Sequence, residues 1–214
     1  MRILALDAAM VRCSAALLDD GAVVASRSAA SGRGQQSALA LMVAEIMADQ
    51  APLDAVAVSV GPGSFTGLRS AIALAHGLAA GVCPVVGVTV AEALAEAVGD
   101  LRGRSLWTAI DSRRGRIFLD RDGALAAVEL ADLPRPEGPV AVAGDAAIAV
   151  ASILAGRGFD VRLTDARVPR AEDVARVGMR RMAGALAALE AQPVYVDPPE
   201  AKLPAGGLRP LPVA

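Results

Sequence analysis

Aromatic residues are scarce: three Phe, one Tyr and one Trp make up 2% of the 214 residues. A core with so few rings must be filled by small aliphatic side chains, so its layers sit close together. Histidine is rarer still, with His76 alone. That removes catalysis built on imidazole and any metal site needing two such ligands. The two cysteines, Cys13 and Cys83, show no CxxC spacing and have no histidine neighbour. A disulfide scaffold and a structural zinc site are both excluded. No apolar run approaches ~20 residues, the length of a membrane helix. The opening run Met1 to Asp7 is too short for a signal peptide, so a cytoplasmic protein is expected. Neither sign of charge dominates, with 21 Lys and Arg against 23 Asp and Glu, net −2. Without a basic stripe, an unaided grip on nucleic acid is not expected.

What is present reads as alternating strands and helices. Ile3 to Leu6 suits a buried strand, and the runs Cys13 to Leu18 and Ala22 to Ser28 meet at the hairpin signal Asp19-Asp20-Gly21. Helices are expected over 35–50, 67–80 and 90–98, and strands over 55–60 and 85–88. The second half repeats the opening: Leu106 to Asp111 mirrors Ile3 to Asp7, Gly115 to Leu119 mirrors Cys13 to Leu18, and Arg121-Asp122-Gly123 mirrors the first turn. Strand, helix, strand and helix follow over 139–143, 146–154, 160–163 and 171–189. The pattern implies a lobe over 1–100, a smaller second lobe over 101–197, and a Pro/Gly-rich tail over 198–214.

Two hairpins whose first strands end in Asp7 and Asp111 point to an α/β fold of duplicated actin/Hsp70-like (ASKHA) lobes. Mixed sheets flanked by helices are expected, with the second lobe degenerate. Active members hold Mg²⁺ and nucleotide phosphates at those turns, which takes close backbone approach and hydroxyls. Asp7 is instead followed by Ala8, Ala9 and Met10, so both aspartates read as relics. Gly61-Pro62-Gly63-Ser64-Phe65-Thr66-Gly67 sits between a buried strand and a helix. It is not a Walker A loop. It is either an anion- or partner-binding turn or a helix cap supplied by Ser64 or Thr66. Ser64, Thr66 and Cys83 lack a neighbouring base, so no catalytic residue is assigned.

The helix that follows carries Ala71, Ala75 and Ala79 at four-residue spacing, with Ile72 and His76 beside them. The first helix carries Leu39, Met42, Ile46 and Met47. Such faces serve either the lobe's own sheet or close docking of a partner helix.

The strings Ile3 to Asp7, Cys13 to Leu18 and Gly61 to Arg69, with Pro193-Val194-Tyr195 and Ala201-Lys202-Leu203-Pro204, together resemble the TsaB (YeaZ) family. The resemblance is densest over residues 1–120. It implies a subunit without catalysis or cofactor in the synthesis of tRNA threonylcarbamoyladenosine. Such a subunit pairs with a TsaD-type transferase and, with it, a TsaE-type ATPase. The charge balance leaves tRNA to be met only through the complex, and a docking face exposed and apolar in the free chain makes a homodimer the expectation when it is alone. The resemblance further implies docking through the first two helices, by Leu39, Met42, Ile46, Met47, Arg69, Ile72, Ala75, His76 and Ala79. The catalytic paralogue carries Asn-His-x-x-x-His after Gly-Val; here Gly87-Val88 leads into Thr89, Val90 and Leu94. The chain departs from the family at Ala8-Ala9-Met10, at Gln35-Gln36-Ser37 and at Val196-Asp197. The alternatives are an active actin-like ATPase or phosphotransferase and, lacking ligands, a metallopeptidase.

Overall fold

Strand β1 (Arg2–Asp7) lies at the centre of the first sheet, hydrogen-bonded to β2 (Arg12–Asp19) on one side and β4 (Ala55–Gly61) on the other. The computed structural model describes residues 1–30, 35–48 and 52–196, with residues 35–37 described by backbone alone. Strand β3 (Ala22–Ala30) lies antiparallel outside β2, and β5 (Val85–Thr89) lies parallel outside β4. The order is therefore β3-β2-β1-β4-β5. Helices α1 (Gln35–Met47), α2 (Phe65–Ala79) and α3 (Val90–Val98) complete this half.

The second sheet repeats that order. Strands β6 (Ser105–Asp111), β7 (Ile117–Arg121), β8 (Ala124–Val128), β9 (Val140–Ala143) and β10 (Val161–Leu163) are arranged β10-β9-β6-β7-β8, with the same parallel and antiparallel pairings. Even the hairpin turns agree. Asp20 and Gly21 have φ of 46° and 84°, and Asp122 and Gly123 have 53° and 87°. Both residues of such a two-residue turn need positive φ, which Asp-Gly supplies. This is the duplicated actin/Hsp70-like arrangement. The second lobe is reduced: among the described residues a single 3₁₀ turn (Leu130–Asp132) stands where α1 stands in the first, and α4 (Ala147–Gly156) covers its sheet.

Alternation along the strands explains the layers. Leu4, Leu6, Leu17, Val56 and Val58 face α1 and α2, whereas Ile3, Ala5, Ala16, Leu18, Ala55 and Ala57 face the opposite way. The first sheet is thus buried on both faces, and α3 reaches only part of the second one. The remainder is closed by α5 (Ala171–Met182), whose Ala171, Val174, Ala175 and Val177 pack on it. This corrects the expected domain boundary. The second lobe does not run to residue 197, because its last helix crosses back to cover apolar surface that the first hundred residues cannot cover. Gly178 permits the crossing, since a Cβ there would stand 2.7 Å from the Ala57 Cβ.

Helix α5 also stops short of the expected 189. Gly184 takes φ 75°, and the Gly184 and Ala185 amides turn back to the carbonyls of Arg181 and Arg180, a C-terminal glycine cap. At its start, Ser14 Oγ accepts the Ala171 amide at 3.0 Å. Helix α1 ends at Met47 rather than at 50; residues 49–51 and the tail from 197 onward lie outside the described residues.

Arg181 locks the returning helix. Its buried guanidinium donates to Gly87 O at 2.6 Å, to Ala187 O at 2.7 Å, and to Glu92 Oε1. Glu92 in turn completes the capping box of α3 with Thr89. Replacing Arg181 by Leu leaves these acceptors without their donor in the interior. It is expected to cost about 3 kcal/mol in urea unfolding. Arg180→Leu removes only an exposed pair with Glu96 and is expected to cost under about 1 kcal/mol.

Candidate functional site

The Gly-rich turn between β4 and α2 is held from within the chain. The Ser64 amide donates to Ala9 O at 2.7 Å, and Ser64 Oγ accepts the Gly67 amide at 3.2 Å as the helix cap. A Cβ on Gly63 would stand 2.1 Å from Ala9 O, and one on Gly67 2.1 Å from Ala8 O. These glycines therefore let the turn lie directly against Ala8 and Ala9. Of the two readings of this motif, capping is the one the geometry carries: Ser64 is the cap, while Thr66 is exposed within the first turn of α2. Gly61 has φ 108° ahead of a cis Pro62, and Phe65 projects into solvent.

Asp7 and Asp111 occupy equivalent strand ends but different environments. Asp7 is wholly buried, accepting only the Ala9 amide at 3.3 Å on Oδ1. Its Oδ2 and the nearby Ser59 Oγ have no partner in hydrogen-bonding geometry among the described residues. Burial pushes the Asp7 carboxyl up to about 7, against the smaller opposing pull of the Ser59 hydroxyl and the Ala9 amide. Asp111 is partly exposed and takes the Arg113 amide at 2.8 Å and the Arg113 guanidinium at 3.3 Å. Asp145 joins them, accepting the Asp111 amide at 2.8 Å and Arg113 Nη2 at 3.2 Å. Burial raises the Asp145 carboxyl, opposed by the Asp111 amide and by Arg113. Both carboxylates at this end are thus committed to an arginine.

Between the lobes lies a cleft of about 830 Å³, within the usual range for small-molecule sites. Ala9, Met10 and Val11, which follow Asp7, line it. Met10 packs with Leu68, Ile110 and α3. The opposite wall carries Asp111, Arg113, Phe118 and Asp145, and the mouth carries Phe65, Arg69 and Tyr195. Tyr195 arrives on a segment that returns along the first lobe. The Gly87 amide donates to Leu189 O at 2.9 Å, the Val194 amide donates to Val60 O at 2.8 Å, and His76 Nε2 lies 3.2 Å from Ala191 O. Asp145 and Tyr195 escaped sequence reasoning as cleft residues; a Gly-Asp pair closing an apolar strand was the available signal for Asp145.

The helical docking residues divide. Leu39, Ile46, Ile72, Ala75 and Ala79 are buried against the lobe's own sheet, and Met42 and Met47 are half-buried beside them. The alanine stripe, which spacing left open between the sheet and a partner, faces the sheet, and this corrects the docking places that the resemblance implies for Ile72, Ala75 and Ala79. Its small side chains let α2 lie close on β4 and α1, and that burial is claimed by the chain itself. The outward face consists of Leu41, Ala44 and Glu45 on α1 with Arg69, Ala73, His76 and Gly77 on α2. Arg69 sits at the cleft mouth end of that face.

Among the described residues, no three His, Cys, Asp or Glu side chains come together to hold a metal. Cys13 is buried, and burial raises both its thiol and that of Cys83, which disfavours the reactive thiolate.

A raised carboxyl penalises the folded state once it must ionise. The penalty from Asp7 is absent below its unfolded value near 4 and grows as pH rises toward 7. Asp7→Asn, whose amide can meet Ser59 Oγ, is expected to match the parent near pH 4 and to be the more stable above about pH 7. Thermal midpoints across that range check this; parallel curves would contradict it.

Comparisons with known proteins agree with this geometry. Residues 30–177 match the family model described as "TsaD: tRNA N6-adenosine threonylcarbamoyltransferase". The chain is 31% identical over 219 residues to the tRNA threonylcarbamoyladenosine biosynthesis protein TsaB of Escherichia coli (strain K12), covering 92% of this chain and 94% of that protein. Against the TsaB protein of Haemophilus influenzae it is 33% identical over 127 residues, covering 56% of this chain and 53% of that protein. The solved structure of YeaZ from Pseudomonas aeruginosa superposes with a TM-score of 0.72 at 29% identity, covering 91% of this chain and 99% of the other. A second Pseudomonas aeruginosa structure, described as similar to peptidase YeaZ, gives 0.74 at 27% identity, covering 92% and 99%. By its identity to TsaB along nearly its whole length, the chain belongs to the TsaB (YeaZ) family of tRNA threonylcarbamoyladenosine biosynthesis proteins, within the wider group that the TsaD model describes.

Proposed function

We propose that this chain is a non-catalytic scaffold or activating subunit of the tRNA threonylcarbamoyladenosine-forming complex. It binds a TsaD-type transferase, and with it a TsaE-type ATPase, through the outer face of α1 and α2. The same face pairs two copies when the chain is alone, tRNA is met only through the complex, and the protein works in the cytoplasm. No helix of the described residues is long and apolar enough to cross a membrane.

Gly77 carries the docking assignment. It lies on the exposed side of α2, and a Cβ there would meet nothing within 4 Å. A helical glycine costs roughly 0.5–1 kcal/mol relative to alanine, and nothing among the described residues offsets that. Gly63, Gly67, Gly87 and Gly178 differ, each being pressed against other atoms of the fold. A bare backbone one turn from the small, exposed Ala73 suits the close approach of a second helix, since interaxial distance follows side-chain size at the crossing. Support for the absence of turnover comes from the site. Asp7 points into the protein, Asp111 and Asp145 hold Arg113, and the only His is on α2, beside Ala191 O.

Gly77→Arg is expected to leave the thermal transition of the isolated chain in place. It should weaken pairing with a TsaD-type subunit at least a hundredfold, roughly the cost of trapping an unpaired charge in a close helix crossing. Ala75→Arg, at a fully buried position, should instead unfold the chain. Size-exclusion chromatography of the mixed subunits reads both, and undiminished pairing by Gly77→Arg would place the interface elsewhere. The purified chain given Mg-ATP is expected to release no phosphate, whereas steady turnover would make it an enzyme.

A further inference from the structure

We propose that the cleft between the lobes is a binding site for a small anion with an aromatic or otherwise apolar body. This does not rest on the pairing assigned above. The floor decides the body of the ligand. Met10, Leu68, Ile110 and Phe118 meet where the two lobes touch, and a concave surface of such groups favours a flat apolar guest over water.

Arg69 decides the head. Its guanidinium lies 3.8 Å over the Phe65 ring, while Nε and Nη2 donate to the Tyr195 hydroxyl at 3.1 and 2.7 Å. Stacked and hydrogen-bonded, the side chain is already ordered, so little further entropy is lost when it binds. Nη1 makes no hydrogen bond among the described residues, and Arg69 has no carboxylate partner among them. Arg113 is occupied differently, being neutralised by Asp111 and Asp145. Arg69, without a carboxylate partner among the described residues and set above an apolar floor in a cleft that Arg114 also lines, suits a singly or doubly charged head, a carboxylate or a phosphate monoester. It does not suit Mg-triphosphate, whose metal would need the carboxylate oxygens that Arg113 holds.

Calorimetric titration of the full chain with naphthyl phosphate, naphthoate, naphthol and inorganic phosphate tests this. At least one of the two naphthyl anions should bind about tenfold or more tighter than naphthol or phosphate, as one charge-assisted hydrogen-bonded pair allows; the tighter anion identifies the head group. Arg69→Gln, at an exposed position, should abolish that advantage and leave naphthol unchanged. Phe118→Ser should weaken every aromatic probe. Amide shifts of the unsubstituted protein should move at Ser64 to Arg69 and at Ile110 to Phe118. The proposal is overturned by equal binding of naphthol and the anions, by binding insensitive to Arg69→Gln, or by no heat at millimolar probe. Shifts confined to the outer face of α1 and α2, or tighter binding of Mg-ATP at the same residues, would overturn it as well.

Discussion

The first sheet is apolar on both faces, and everything distinctive about this chain follows from covering the second one. A central strand such as β1, with Ile3 to Leu6 wholly buried, cannot leave either side to water without exposing a run of aliphatic surface. Helices α1 and α2 take one face. The other needs α5, which comes from beyond the second lobe. Once α5 has returned, Arg181 secures it to the β5 carbonyl at Gly87 and to Glu92, and the following residues run along the first lobe. That path delivers Tyr195 to Arg69 at the cleft mouth.

The same economy of backbone explains the cleft. In an active member of this architecture the first turn would present its donors to a phosphate. Here the Gly63 and Gly67 backbones lie against the Ala8 and Ala9 carbonyls instead, and the Ser64 amide is satisfied by Ala9. Asp7 is left beneath that turn with Oδ2 unpartnered. The cleft that remains is apolar at its floor, with Arg69 at its mouth.

The helical face shows how far a periodic pattern can be read. Alanines at 71, 75 and 79 must share one side of α2, and they do. Spacing cannot say whether that side meets the chain's own sheet or another molecule, because both demand small apolar groups. Burial settles it in favour of the sheet, and leaves Gly77 on the opposite side, where none of the described residues requires the side chain to be absent.

Local chemistry in the sequence was enough for the duplicated lobes, the Asp-Gly turns and the strands ending in Asp7 and Asp111; at the Gly-rich turn it left capping and anion or partner binding open, and the structure assigned the cap to Ser64. Lobes, Asp-Gly turns and strand ends each depend on neighbours within a few residues and on side-chain periodicity. The return of α5, the meeting of Arg69 with Tyr195 and the pairing of Arg113 with Asp145 were decided by tertiary structure. These contacts join residues from 32 to more than 100 positions apart, a separation over which neither local propensity nor side-chain periodicity specifies a partner.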